Sequence, residues 1–184
     1  MARRDPIKVD AIFLLERDHE AVQGLFSEFK KFEDDETQDV DEVKQAIIDD
    51  VCFMLKVHTR IEEEVFYPAA RECLPDDEDL MDEAQAEHDA AKKLIALIEE
   101  GSASEVVTCA RFLQLSDAID EHVREEQEEM FPKVRAAGMN TAEVGGRLKS
   151  RKDELEGEAT AANADGSPRQ SVVDRITSFL GPTV

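Results

Sequence analysis

Apolar residues recur along this chain at alternating spacings of three and four, the period of a helix that buries one stripe. The first stripe is Ile12, Leu15, His19, Val22, Phe26 and Phe29. The second is Ile48, Val51, Leu55, His58, Glu62, Val65 and Ala69. The third is Met81, Ala84, His88, Ala91, Ile95 and Ile98, and the fourth is Phe112, Leu115, Ile119, His122 and Glu126. These stripes predict helices over residues 9–32, 40–73, from after Pro75-Asp76-Asp77 to Gly101, and 102–138. Gly101 suits a C-terminal cap, and Ser102-Ala103-Ser104-Glu105 fits a capping box opening the fourth helix. The connections are short, so neighbours are expected to run antiparallel. The predicted fold is all-α, an up-down-up-down four-helix bundle over residues 1–139.

Two features interrupt the pattern. Pro68 and Pro132 fall inside the second and fourth helices, where each lacks a backbone donor and is expected to kink or end the helix. Beyond Asn140 the periodicity fades, and residues 140–184 are expected to form a C-terminal extension, partly disordered or a short docking helix. Gly145-Gly146 and residues 159–169 read as loop or linker. The amphipathic stretch 172–180 suits docking on the bundle or on a protein partner reached through residues 170–184.

Each stripe is apolar except at one or two positions. The exceptions are His19, His58, Glu62, His88, His122 and Glu126. The chain has four histidines, and every one lies on a stripe, one per helix. A lone histidine on a buried stripe is ordinarily a hydrogen-bonded core residue. The glutamates change this, because a buried carboxylate costs several kcal/mol unless a cation compensates it. No Lys or Arg shares their stripes.

Metal cations at the bundle centre would compensate all six groups at once. Glu62 and His88 lie about 11 to 13 residues from the turn near Pro75, so they sit at similar depth. The run from His58 to Pro68 matches that from His122 to Pro132 in His, Arg, Glu and Pro, at an offset of 64. Asp18-His19-Glu20-Ala21 likewise resembles Glu87-His88-Asp89-Ala90. The chain thus reads as two helix hairpins, each giving His…His-x3-Glu, a pseudo-twofold suited to two metal ions.

Composition narrows the partners. A net charge of −22 repels nucleic acid and anionic membrane, so neither is expected as a partner. Most of the carboxylates are read as a solvated surface. Cys52, Cys73 and Cys109 make an odd, unpaired set rather than a disulfide framework. No apolar run approaches the roughly 20 residues of a membrane span, and no apolar segment follows Arg3-Arg4. The expected location is therefore cytoplasmic, with reduced thiols. Neither a Gly-rich nucleotide motif nor a Cys-x2-Cys pair occurs.

The isolated His of helix one, His58-x3-Glu62 followed by Glu-Glu-Val-Phe-Tyr-Pro, the isolated His of helix three, and His122-x3-Glu126 followed by Met-Phe-Pro together resemble the haemerythrin-like, HHE cation-binding family over residues 10–138. The resemblance implies two non-haem iron ions (Fe2+/Fe3+) with an oxo or hydroxo bridge, and O2, peroxide or nitric oxide as the small ligand. Oxygen carriers of the family have a second His on helix three; here the positions four residues either side of His88 are Ala84 and Lys92. Helix four also uses His-x3-Glu where the carriers have His-x4-Asp. Gln23, Gln85 and Glu16 are near enough in sequence to supply a further ligand.

A more open iron favours redox chemistry or sensing over stable O2 carriage. The leading expectation is a protein that binds, senses or reduces O2, reactive oxygen species or nitric oxide, or senses iron. The alternatives are a peroxide-decomposing di-iron enzyme and an adaptor bundle whose metal only stabilises the fold. No dedicated acid or base is evident, and the helical period places Tyr67 off the stripe.

Overall fold

The computed structural model describes residues 9–32 and 38–161. The amphipathic stretch 172–180, with the partner-binding role expected of residues 170–184, lies outside them. Among the described residues there are only helices and turns. Helix α1 (Ala11–Lys30) starts at Asp10, whose side chain accepts the Phe13 N–H at 3.1 Å. Helix α2 (Gln38–Ile61) runs through a wide π turn (Glu62–Phe66) into α3 (Tyr67–Cys73). Helix α4 (Glu78–Glu99) follows. Helix α5 (Val106–Glu125) runs through a second π turn (Glu126–Met130) into α6 (Phe131–Ala136). Gly138, at φ +81°, closes that rod in the left-handed conformation glycine adopts most readily. Residues 102–105 form a turn rather than helix, so α5 starts four residues later than the capping box predicts.

The prolines do not end their helices. In each π turn a backbone N–H reaches back five residues, from Tyr67 to the Glu62 carbonyl and from Phe131 to the Glu126 carbonyl. Pro68 and Pro132 follow directly, in the first turn of the next segment, where a missing donor costs little. One extra residue in the turn rotates everything after it by about 100°. The most deeply buried side chains after Glu62 are accordingly Phe66, Tyr67 and Ala70, not Val65 and Ala69.

The four rods pack in a ring, α1 on α2, α2 on α4, α4 on α5 and α5 on α1. Their core falls into two apolar clusters. One contains Leu15, Ile61, Phe66, Met81 and Phe131; the other contains Val22, Phe26, Val51, Ile95, Phe112 and Ile119. The histidine positions lie in sequence between members of the two, so a polar layer divides the core.

A fifth helix, α7 (Thr141–Ala161), occupies what the sequence suggested was loop around Gly145-Gly146. It packs on α1, α2 and the first π turn. The reason the glycine is there is contact: a Cβ on Gly145 would fall 2.0 Å from the Val9 carbonyl oxygen. Among the described side chains of α7, Val144, Leu148 and Leu155 are the buried ones, too sparse a stripe to stand out in the sequence. Ion pairs from Lys152 to Asp18 and from Arg151 to Glu64 hold its flank. Among the described residues no helix is long and apolar enough to cross a membrane.

Candidate metal centre

The polar layer brings all six singled-out side chains together. His19, His58, Glu62, His88, His122 and Glu126 are each at most 4% exposed. The Nε2 atoms of His19 and His58 stand 2.9 Å apart, and those of His88 and His122 stand 3.2 Å apart. Glu62 Oε2 lies 3.1 Å from His58 Nε2 and 3.4 Å from His88 Nε2. Glu126 Oε2 lies 3.4 Å from His19 Nε2 and 3.7 Å from His122 Nε2. Each glutamate therefore faces histidines of both hairpins. Ligand-type atoms of His19, His58, His122 and Glu126 lie within 4.8 Å of one another, and so do those of Glu62, His88 and His122.

Carboxylates behind the imidazoles set their orientation. His88 Nδ1 meets Glu63 Oε1 at 2.9 Å, and His122 Nδ1 meets Glu87 Oε2 at 2.8 Å. His58 Nδ1 faces Asp18 Oδ2 at 3.6 Å. An Nδ1–H donated outward leaves Nε2 as a lone pair pointing inward. In neutral His88 and His122 the two inward Nε2 atoms then present lone pairs to each other, a contact that needs a cation between or beside them. Lys92, standing where the carriers' extra histidine would be, pairs with Glu63 at 2.6 Å and so braces the His88 support. Gln85 also donates to Glu63, at 2.9 Å, and Gln23 donates to Asp120 at 2.8 Å; both amides are engaged outside the centre.

The electrostatics fit a cation. Both oxygens of Glu62 and Oε2 of Glu126 have no hydrogen-bond partner. Among the described residues no Lys or Arg pairs with either carboxylate. Burial pushes the Glu62 carboxyl up to about 7, and burial together with the Glu62 charge pushes Glu126 up to about 8. Burial, then the neighbouring imidazoles, drives His19 far below the usual imidazole range, and burial lowers His88. Buried imidazoles and uncompensated carboxyls form a donor set that is poorly satisfied by protein alone.

One functional side chain escaped the periodicity. The Tyr67 hydroxyl lies in the centre, donating to Glu126 Oε1 at 2.9 Å and standing 3.2 Å from His88 Nε2. Its ring leans on His88 with centroids 5.4 Å apart. The π turn carries it there, and Pro68 is the signal that could have revealed it. A proline inside a buried helix demands a local widening that shifts the register after Glu62. Burial and the Glu126 and Glu62 charges hold its phenol well above the ordinary range, so it stays protonated.

Comparison with known proteins agrees with the geometry. No curated protein matches the chain. Among solved structures, a hemerythrin HHE cation binding domain-containing protein from Mycobacterium kansasii superposes with a TM-score of 0.67 at 22% identity, over 91% of this chain and 98% of that one. At such identity the likeness supports the fold. The family profile of the Hemerythrin HHE cation binding domain matches residues 10–134, spanning all six polar core residues and both wide turns. By that match over most of its length, the chain belongs to the hemerythrin HHE cation binding domain family.

Proposed function

We propose that this protein holds two non-haem iron ions with His19, His58, Glu62, His88, His122 and Glu126, and uses them to bind, sense or reduce O2, reactive oxygen species or nitric oxide. The observation that carries the reading is the convergence of four buried imidazoles on two buried carboxylates with which no Lys or Arg pairs among the described residues. Imidazole and carboxylate donors suit iron and also accommodate manganese or zinc. The two glutamates, each facing histidines from both hairpins, are the bridging candidates.

Bound iron would supply one-electron redox chemistry toward these small ligands. The chain's own residues supply the setting. Glu63, Glu87 and Asp18 orient the imidazoles. Val22, Leu55, Ile119 and Val123, with the four histidines, Asp18 and Thr59, line a void of about 10 Å³. That is room for one water-sized molecule, such as a small diatomic ligand.

Metal content and the visible spectrum of protein from iron-rich medium, before and after air, test this reading. About two irons per chain with near-ultraviolet absorption of an oxo-bridged ferric pair is the expected result. Zinc or no metal in its place would transfer support to the structural, adaptor-like reading.

Peroxide decomposition stands as a second reading because of Tyr67. Its hydroxyl puts a proton donor within hydrogen-bond reach of Glu126 and His88. Sustained oxygen evolution from added peroxide by iron-loaded protein, lost in Tyr67→Phe, would favour it; inert iron-loaded protein would remove it.

A further inference from the structure

On the α4/α5 face a cavity of about 260 Å³ opens beside the centre. Its charged lining consists of Glu83, Glu87, Glu125, Glu126 and Glu129, with no basic side chain among the lining residues. The outer members are solvated: Glu83 and Glu129 are exposed, and Glu87 and Glu125 are about one-quarter to one-third exposed. At the inner end is Glu126, 1% exposed, whose Oε2 has no hydrogen-bond partner. Glu87 belongs to both places, lining the cavity while its Oε2 meets His122 Nδ1. Arg124 meets Glu125 at 3.4 Å, and Lys133 interacts electrostatically with Glu129 at the mouth.

A surface of acidic residues is ordinary in a chain with a net charge of −22. This group differs because it is concave and leads from water to a buried carboxylate with one oxygen, Oε2, lacking a hydrogen-bond partner. A cleft lined by one sign of charge between low-dielectric walls focuses the potential and concentrates counter-ions. Carboxylate oxygens are the donors that divalent cations such as Fe2+ and Mn2+ accept while still carrying water. A water molecule occupies roughly 30 Å³ of liquid, so the cavity accommodates a hydrated divalent ion. On the other side α7 packs over α1 and α2, and the cavity of about 220 Å³ there mixes Asp18 and Glu156 with the cation of Lys152 among apolar side chains, so it lacks a lining of one charge sign.

We propose that this acidic cavity is the uptake site through which divalent cations reach the buried centre. Glu83 and Glu129 capture the hydrated cation at the mouth, Glu125 and Glu87 hold it as its water is shed, and Glu126 receives it. The inference rests on the centre being a metal site. It assigns a role to Glu83, Glu125 and Glu129, which lie outside the imidazole cluster.

The test is stopped-flow uptake of Co2+ by the metal-free full chain, followed by visible absorption at low ionic strength, with E83Q/E129Q compared with the unaltered protein. Removing two mouth charges is expected to slow uptake about tenfold, within the range of electrostatic steering. The final Co2+ count should be unchanged, and the rate should depend less steeply on salt. A control of equal charge change at the far end of the bundle, E42Q/E100Q, should load like the unaltered chain. Equal rates for E83Q/E129Q and the unaltered protein would overturn the uptake route while leaving the metal centre standing, as would equal slowing in the control. No Co2+ uptake by the unaltered chain would overturn both.

Discussion

The first hairpin, α1 with the α2–α3 rod, and the second, α4 with the α5–α6 rod, are built alike and finished differently. Each places one histidine on its first helix, a His-x3-Glu on its second, and a π turn followed by proline, the turns standing 64 residues apart. At the matching position after the turn the first hairpin has Tyr67 and the second has Phe131. Phe131 stacks on His19 with planes 3° apart and offers no polar atom, whereas Tyr67 brings a hydroxyl to Glu126 and His88. The first hairpin is covered by α7, and its Asp18 is paired with Lys152. The second leaves an acidic cavity open to solvent. The duplicated features make a matched ligand set. On the proposed reading, the unmatched ones decide which side carries a proton donor and which side admits ions.

The largest effect should come from the duplicated residues. Glu62→Ala and Glu126→Ala are each expected to remove one or both ions per chain, beyond the about 10- to 100-fold loss of affinity typical of supporting residues. Metal analysis after loading checks this; a count of two in either variant would break the equivalence of the hairpins. Next come the supporting carboxylates. Glu63→Gln and Glu87→Gln should weaken metal binding about 10- to 100-fold, because each fixes an imidazole tautomer. Competition against a chelator measures it. Lys152→Met should have a smaller effect in the same direction, and identical affinity would detach α7 from the His58 support.

Gly145→Ala probes the covering helix. Its methyl would meet the Val9 carbonyl, so α7 must shift, at a cost of about 1–3 kcal/mol of stability in urea unfolding. Gly146→Ala, where a Cβ has open space, should be neutral or slightly stabilising. The mildest effect should be pH dependence of the metal-free form. The folded Glu62 and Glu126 carboxyls titrate at about 7 and about 8, against 4.5 ordinarily. Between these limits the unfolded chain holds fewer protons than the folded one, so stability falls as pH rises. His19 and His88, lowered by burial, act the other way, increasingly as pH drops toward and below 6.5. From pH 6.5 to 8 the melting temperature of the metal-free protein should therefore decline, and metal loading should flatten the decline. A melting temperature that rises over this interval without metal would contradict the burial of uncompensated carboxyls.

Much of this was legible in the sequence because it is carried by period. A buried face repeats every three to four residues, so a His or Glu on that face is conspicuous, and six such exceptions located the centre. Acid–base chemistry did the rest, since two glutamates without a basic neighbour imply a cation. What the period could not carry was anything that changes register or comes from outside the four stripes. Tyr67 lies off the stripe when helical phase is counted straight through Glu62, and it enters the core only because the π turn adds a residue. Helix α7 has three buried side chains among those described, and its Gly145 reads as a breaker until Val9 is seen pressing against it.

The sequence by itself determined the bundle and the six polar core residues, because local periodicity and the cost of burying charge act along each helix independently. Only the tertiary structure decided the pairing of each glutamate with histidines of both hairpins, the arrival of Tyr67, the cover over one side and the acidic opening on the other. Those depend on the distances between helices and on local departures from regular helical phase, which no single stripe records.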